Sequence, residues 1–110
     1  MEISINKGIV ERIPAFKLGV ITYNDIVISE SPAMIKGRLQ LYQESLAIDF
    51  DTKPLTDYIG INEWRKAFKD LGMDPSKYRP SHEALLRRIT KRQFLTPIHS
   101  AADVLSLIHI

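Results

Sequence analysis

Residues 64 to 103, WRKAFKDLGMDPSKYRPSHEALLRRITKRQFLTPIHSAAD, decide the fold and carry most of the functional signal. The stretch contains two amphipathic segments with helical spacing, joined by a turn that holds two prolines. We predict that the first helix begins at Asn62 and buries Trp64 as a core anchor. Gly72 then stands where a residue of left-handed backbone conformation closes a helix.

The second amphipathic segment begins at Pro80 and Ser81, a pair that favours a helix start because proline at this point loses no needed donor. At about 100° per residue, apolar and basic side chains fall on opposite sides of the helix. The apolar side carries Leu85, Leu86 and Ile89. The opposite arc carries Arg87, Arg88, Lys91 and Arg92.

Positive charge is concentrated in this part of the chain. The formal net charge is only +2, yet residues 62 to 93 hold nine Lys or Arg residues against four acidic ones. Cations along one helix face can follow a phosphate backbone, and Tyr78 with Arg79 could offer a stacking surface for a base. The competing interpretation of Tyr78 is a partly buried residue of the joint between the helices. The charge pattern therefore predicts a nucleic-acid contact. The predicted contact residues are Arg79, Arg87, Arg88, Lys91 and Arg92. The competing interpretation is an ordinary solvated helix face, which charge alone does not exclude.

The N-terminal part of the chain has a different pattern. Apolar residues alternate with polar ones over residues 1 to 29, which predicts strands with a hairpin at Asn24 and Asp25. Ser31 and Pro32 then predict the start of another helix. Its predicted buried face consists of Ile35, Leu39, Tyr42 and Leu46. Residues 94 to 98 are predicted to be extended because Pro97 disfavours a helical residue before it.

Several chemistries find no support in the sequence. With no cysteine among 110 residues, disulfides and thiolate nucleophiles are excluded, and the three histidines lack zinc-ligand spacing. His82 is predicted to be a structural, hydrogen-bonded imidazole, and the adjacent pair His99 and Ser100 is a weak catalytic signal. Neither a signal peptide nor a membrane span is indicated. We expect a cytoplasmic protein that needs no cofactor or metal.

The predicted fold class is α+β. We expect N-terminal strands followed by three amphipathic helices packed on a mixed sheet, in a domain that is incomplete. From the residues alone, the expected function reaches no further than a possible polyanion-binding surface.

Residues 61 to 104 resemble the B-three/B-four domain, the editing domain of the phenylalanyl-tRNA synthetase beta subunit, in its free-standing bacterial form. The similar motifs are EWRKAFKDLG, DPSKYRPS, HEALLRRI and LTPI, followed by an Asp-bearing strand around Asp103. The resemblance implies recognition of tRNA or aminoacyl-tRNA and, in a complete domain, hydrolysis of mischarged aminoacyl esters. It implies a deacylase role in translation quality control, with the amino-acid pocket built from segments beyond Asp103.

The last residues depart from the family pattern. LSLIHI, residues 105 to 110, is also what one frame of a transposon-end sequencing adapter encodes. We therefore expect residues 1 to 104 to be the N-terminal part of an editing-like domain and residues 105 to 110 to be a non-native tail. Such a chain is expected to be marginally stable and catalytically inactive. Two alternatives stay open, a non-catalytic RNA-binding or protein-interaction module and a small-molecule-binding domain.

Overall fold

The computed structural model describes residues 1 to 109, and within them the regular structure is entirely helical. A short 3-10 turn, Leu55–Asp57, lies between the second and third helices. The five α-helices are α1 (Lys7–Arg12), α2 (Ala33–Asp49), α3 (Ile59–Asp70), α4 (Ser81–Thr90) and α5 (Ser100–His109). The α+β prediction with a mixed sheet is therefore wrong, because no residue from 1 to 109 belongs to a strand.

The N-terminal segments show why the strand prediction failed. Residues 1 to 5 and 18 to 22 line one groove, yet no backbone hydrogen bond joins them within the described chain. Residues 7 to 12 between them form α1, whose first turn is capped by the Asn6 side chain. A strand requires a hydrogen-bonded neighbour as well as alternating side chains. The alternation is present here without that neighbour.

The core is formed where α2, α4 and the start of α3 meet. Helix α2 follows Ser31 and Pro32 as predicted, but its buried stripe includes Gln43 in place of Tyr42, which is exposed. The fully buried apolar residues are Leu39, Ala47, Ile61, Leu86 and Ile89. This is a small core for 110 residues, and the partly buried rings and aliphatic side chains around it complete the packing.

Gln43 ties the extended segment after α4 to the core. Its side-chain amide is fully buried, donates to the Leu95 carbonyl at 3.3 Å and accepts from the Leu95 N–H at 2.6 Å. A primary amide carries one acceptor and two donors, so it can pair with both backbone groups of a residue. Residues 94 to 98, predicted to be extended, belong to no helix and no strand, and Gln43 fixes the position of Leu95.

Helix α3 begins at Ile59, three residues before the predicted start at Asn62, and α4 begins at Ser81 as predicted. Gly72 has φ +81°, and the Met73 N–H donates to the Phe68 carbonyl at 2.8 Å, which is the predicted left-handed closure. The prediction that Trp64 is a core anchor is wrong, because its side chain is 44% exposed. Trp64 instead makes edge-to-face contacts with Phe16 and Phe68 near the surface.

Helix α5 occupies the place where an Asp-bearing strand was expected. It packs against α2, and Asp103 in its first turn is buried. Residues 105 to 109 of the predicted tail continue this helix, while Ile110 lies outside the described residues.

The molecule is flat and open for its mass. Its extents are 44 × 42 × 19 Å and its radius of gyration is 16.3 Å, whereas about 13 Å is expected for a compact domain of this length. The accessible surface is 8272 Å², compared with about 6,200 Å² for a compact monomer of 12.6 kDa. Much apolar surface that a closed domain would bury is therefore in contact with solvent.

Candidate nucleic-acid interface

The predicted basic surface is built around a buried carboxylate. Glu83, in the first turn of α4, is fully buried and accepts two hydrogen bonds from Arg65 of α3, at 3.0 Å from Nε and 2.9 Å from Nη2. Arg87, one turn later on α4, donates from Nε to Glu83 at 3.0 Å. Burial would raise the pKa of Glu83, but the hydrogen bonds from Arg65 and Arg87 outweigh it and hold the pKa below its ordinary value.

Two of the five predicted contact residues are consequently bound to the protein's own acids. Arg87 is held by Glu83, and Arg92 pairs with Asp51 at 2.7 Å. Arg92 also lies beyond the end of α4, with a left-handed φ of +58°. The predicted continuous helical arc therefore stops at Thr90.

The other three predicted residues present their charge to solvent. Arg79, Arg88 and Lys91 are exposed, and none of them forms an ion pair with a residue in the described range 1 to 109. Arg88 and Lys91 are three residues apart at the end of α4, and Arg79 precedes its start. We call these three residues the free cations.

Tyr78 immediately precedes Arg79, the free cation before the start of α4. Its ring is 52% exposed, and the Lys77 ammonium lies 5.5 Å from the ring centroid. An exposed aromatic ring with cations on both sequence neighbours is a combination that single-stranded RNA sites use. The ring is accessible, as stacking on a base requires.

A second buried carboxylate joins α5 to the start of α2. Asp103 accepts hydrogen bonds from the Ser31 hydroxyl and from the Ile98 N–H, the latter at 3.0 Å. Burial tends to raise the pKa of Asp103, but these hydrogen bonds lower it further than burial raises it. Both Ser31 and Asp103 are nearly inaccessible, so the pair acts as a structural clamp.

The histidine predictions have mixed outcomes. The side chains of His99 and Ser100 are hydrogen-bonded to other residues: His99 Nδ1 accepts from the Ala102 N–H, and the Ser100 hydroxyl accepts from the Ser29 N–H. The prediction of a satisfied imidazole at His82 is wrong, since its Nε2 is buried without a hydrogen-bond partner in the described structure. Its ring lies 6.1 Å from that of Trp64.

Some structural relationships were missed by sequence reasoning. The spacing of Glu83 and Arg87 by one helical turn signals an ion pair, but nothing local identifies Arg65 as the second partner. Ser31 and Asp103 are 72 residues apart, and a pairing at that distance leaves no trace in a single sequence.

Among residues 1 to 109, no group of three or more potential metal ligands occurs. Over the same range, no helix has both the length and the apolar character that crossing a bilayer requires.

Comparison with known proteins gives one relative. The chain is 34% identical over 105 residues to the uncharacterized protein YhzB of Bacillus subtilis (strain 168). The match covers 96% of this chain and 51% of YhzB, so the chain spans about half the length of the curated relative it matches. No protein-family model matches the chain, and no solved structure matches it.

Proposed function

We propose that this chain is an RNA-contacting part of a domain resembling the editing domain of the phenylalanyl-tRNA synthetase beta subunit, with aminoacyl-tRNA as its partner. The single observation that carries the proposal is the set of free cations, Arg79, Arg88 and Lys91, together with the exposed ring of Tyr78. An alternative is a protein-interaction module, which the large exposed apolar surface favours.

The free cations suit phosphate binding because they form no ion pair with an acidic residue of the described chain. Each phosphate that a cation neutralises releases condensed counterions, so the affinity falls as salt rises. Three contacts would give a slope of log K against log salt of about −2 to −3. An apolar protein interface would respond far less to salt, since it releases no counterions.

The hydrolytic step belongs to the larger protein in this proposal. The Ser31 hydroxyl is buried and donates a hydrogen bond to Asp103, so it is not accessible as a nucleophile. In a complete domain, ester hydrolysis would proceed by positioning a water molecule in a pocket shaped for the wrong amino acid. The residues described here would hold the tRNA and leave the chemistry to a pocket elsewhere.

The test is binding of this chain to fluorescently labelled tRNA, measured by anisotropy over a range of salt concentrations. We expect binding that weakens with the slope given above, and a loss of about tenfold in affinity for the double variant Arg88→Ala/Lys91→Ala. The matched control is Lys17→Ala/Lys53→Ala, which removes two exposed cations elsewhere and changes the net charge equally. Salt-independent binding, or equal losses in both double variants, would reject the proposal.

A further inference from the structure

A continuous apolar face lies open between an extended segment and α5. Residues 23 to 28 and α5 enclose a groove of about 370 Å³. The apolar face consists of Ile26, Val27 and Ile28 from the segment with Val104 and Ile108 from the helix. Val27 is 85% exposed and Ile108 64%, although side chains of this kind are ordinarily buried.

The backbone beside the groove is also unpaired. Residues 17 to 28 make no hydrogen bond to any described part of the chain, and their nearest tie is at Ser29, whose carbonyl accepts from the Ser100 N–H at 2.9 Å. Any occupant that displaces water here must supply apolar atoms and backbone-like hydrogen-bonding groups together. An extended polypeptide offers both, whereas a purely apolar ligand would leave the backbone N–H and carbonyl groups without hydrogen-bond partners.

The exposed surface of the whole chain leaves room for an interface. The accessible surface of 8272 Å² exceeds that of a compact monomer of 12.6 kDa by about 2,000 Å². The apolar face contributes part of this excess, and a standard interface takes about 800 Å² from each partner. YhzB provides a candidate for the occupant, because half of its length lies outside its match to this chain. Within one polypeptide, such a segment would be present at high effective concentration.

We propose that the apolar face is covered, in proteins of this kind, by polypeptide equivalent to the part of YhzB that lies outside its match to this chain. A second copy of the chain is the competing occupant. The intramolecular occupant is favoured because the relative carries the required length of polypeptide itself, so association would need no bimolecular step. This inference is independent of RNA binding and can fail or succeed without it.

Thiol labelling tests the inference in both proteins as they exist. The chain has no cysteine, so Val27→Cys introduces a single thiol on the apolar face. In this chain the thiol should react with a maleimide about as fast as in a short peptide. At the aligned position of YhzB, in a background free of other cysteines, we expect labelling at least about a hundredfold slower.

Ile59→Cys and its YhzB counterpart provide the matched control. Ile59 is 75% exposed on α3, outside the apolar face, and should label at similar rates in the two proteins. Protection of the Val27 position in YhzB that persists on dilution supports the inference. Fast labelling in YhzB overturns it, as does protection that disappears on dilution in either protein, because that result identifies a second copy as the occupant.

Discussion

The guanidinium of Arg65 binds the buried carboxylate of Glu83 through two parallel hydrogen bonds, at 3.0 and 2.9 Å. The two residues lie on α3 and α4, on either side of the proline-containing turn. Because the two hydrogen bonds are parallel and the acceptor is ionised, the pair fixes direction as well as distance. The relative position of the two helices is therefore set by charge as well as by the apolar core.

Removal of the buried carboxylate should destabilise the fold strongly. Glu83→Ala leaves the charges of Arg65 and Arg87 close together with no acid between them, and we expect a loss of about 3 kcal/mol in the free energy of unfolding. Urea denaturation followed by circular dichroism measures it. Glu63→Ala, which breaks an exposed pair with Lys66 on α3, is the control and should cost less than about 1 kcal/mol. Similar losses in the two variants would contradict the structural role of Glu83.

The stability of the chain should fall in acid. The folded pKa values of Glu83 and Asp103 lie below their ordinary values of 4.5 and 3.8. A lowered folded pKa gives stability that is complete above the unfolded value and is lost as the pH falls through the folded value. The melting temperature should therefore be level from pH 7 to about pH 5 and decline below that.

The Glu83→Gln variant separates the contribution of Glu83 from that of Asp103. It should be less stable than the parent at pH 7 and should approach the parent as the pH falls, since it has no ionised group to lose at that position. A constant difference between the two proteins from pH 7 to pH 3 would show that the ionisation of Glu83 is not linked to folding.

Alanine substitutions at the neighbouring residues Arg87 and Arg88 of α4 should affect different properties, stability in the first case and RNA affinity in the second. Arg87→Ala removes a hydrogen bond to buried Glu83 and should cost about 1 kcal/mol of stability with little change in RNA affinity. Arg88→Ala should leave stability within about 0.5 kcal/mol and weaken RNA binding. Thermal melts and anisotropy titrations on the same preparations compare them. The assignment fails if Arg87→Ala weakens RNA binding as much as Arg88→Ala does.

Two glycines should respond in opposite directions to alanine. Gly72 has φ +81°, so Gly72→Ala places a side chain in a strained backbone conformation and should destabilise by about 1 kcal/mol. Gly37 lies inside α2 with open space around its Cβ position, so Gly37→Ala should stabilise by about 0.5 to 1 kcal/mol. Denaturation midpoints decide the matter, and a stabilising Gly72→Ala would show that α3 ends differently.

Gln43 should be irreplaceable by an apolar residue of similar size. Gln43→Leu leaves the Leu95 N–H and carbonyl without partners and should cost about 1 to 3 kcal/mol. The comparison is Gln40→Leu, three residues earlier on α2, where the side chain is exposed and pairs only with Glu44. The control should change stability by no more than about 0.5 kcal/mol. If both variants were equally stable, the amide of Gln43 would have no role in holding Leu95.

Local signals in the sequence predicted the local structure well. Helices α2 and α4 begin directly after Pro32 and Pro80, within a residue of the predicted starts, and the closure at Gly72 lies where it was predicted. Neither start has a side-chain cap, and the Ser31 hydroxyl donates to Asp103 instead. The face of α2 was harder to predict, because Gln43 is buried for its hydrogen bonds to Leu95, a residue distant in the chain. Hydrophobic periodicity favoured Tyr42 instead.

Long-range relationships account for the remaining errors. The alternation in residues 1 to 29 predicted strands, but a strand is a property of two segments, and the described chain provides no second one for residues 17 to 28. The basic surface was predicted from charge and stays a prediction, to which the structure adds that Arg87 and Arg92 are bound to Glu83 and Asp51. A single sequence records the charges but not their partners.

Residues 17 to 28 form no hydrogen bond to the rest of the described chain, and this affects how fast their amide protons exchange with solvent. We expect amide protons in this segment to exchange with deuterated solvent about as fast as those of an unstructured peptide, because no hydrogen bond has to open first. Amides in the middle of α2, such as that of Gln43, wait for the helix and the core beneath it to open. The amide-exchange rate should therefore change sharply over the few residues around Ser31, from fast in the segment before it to slow in α2 after it.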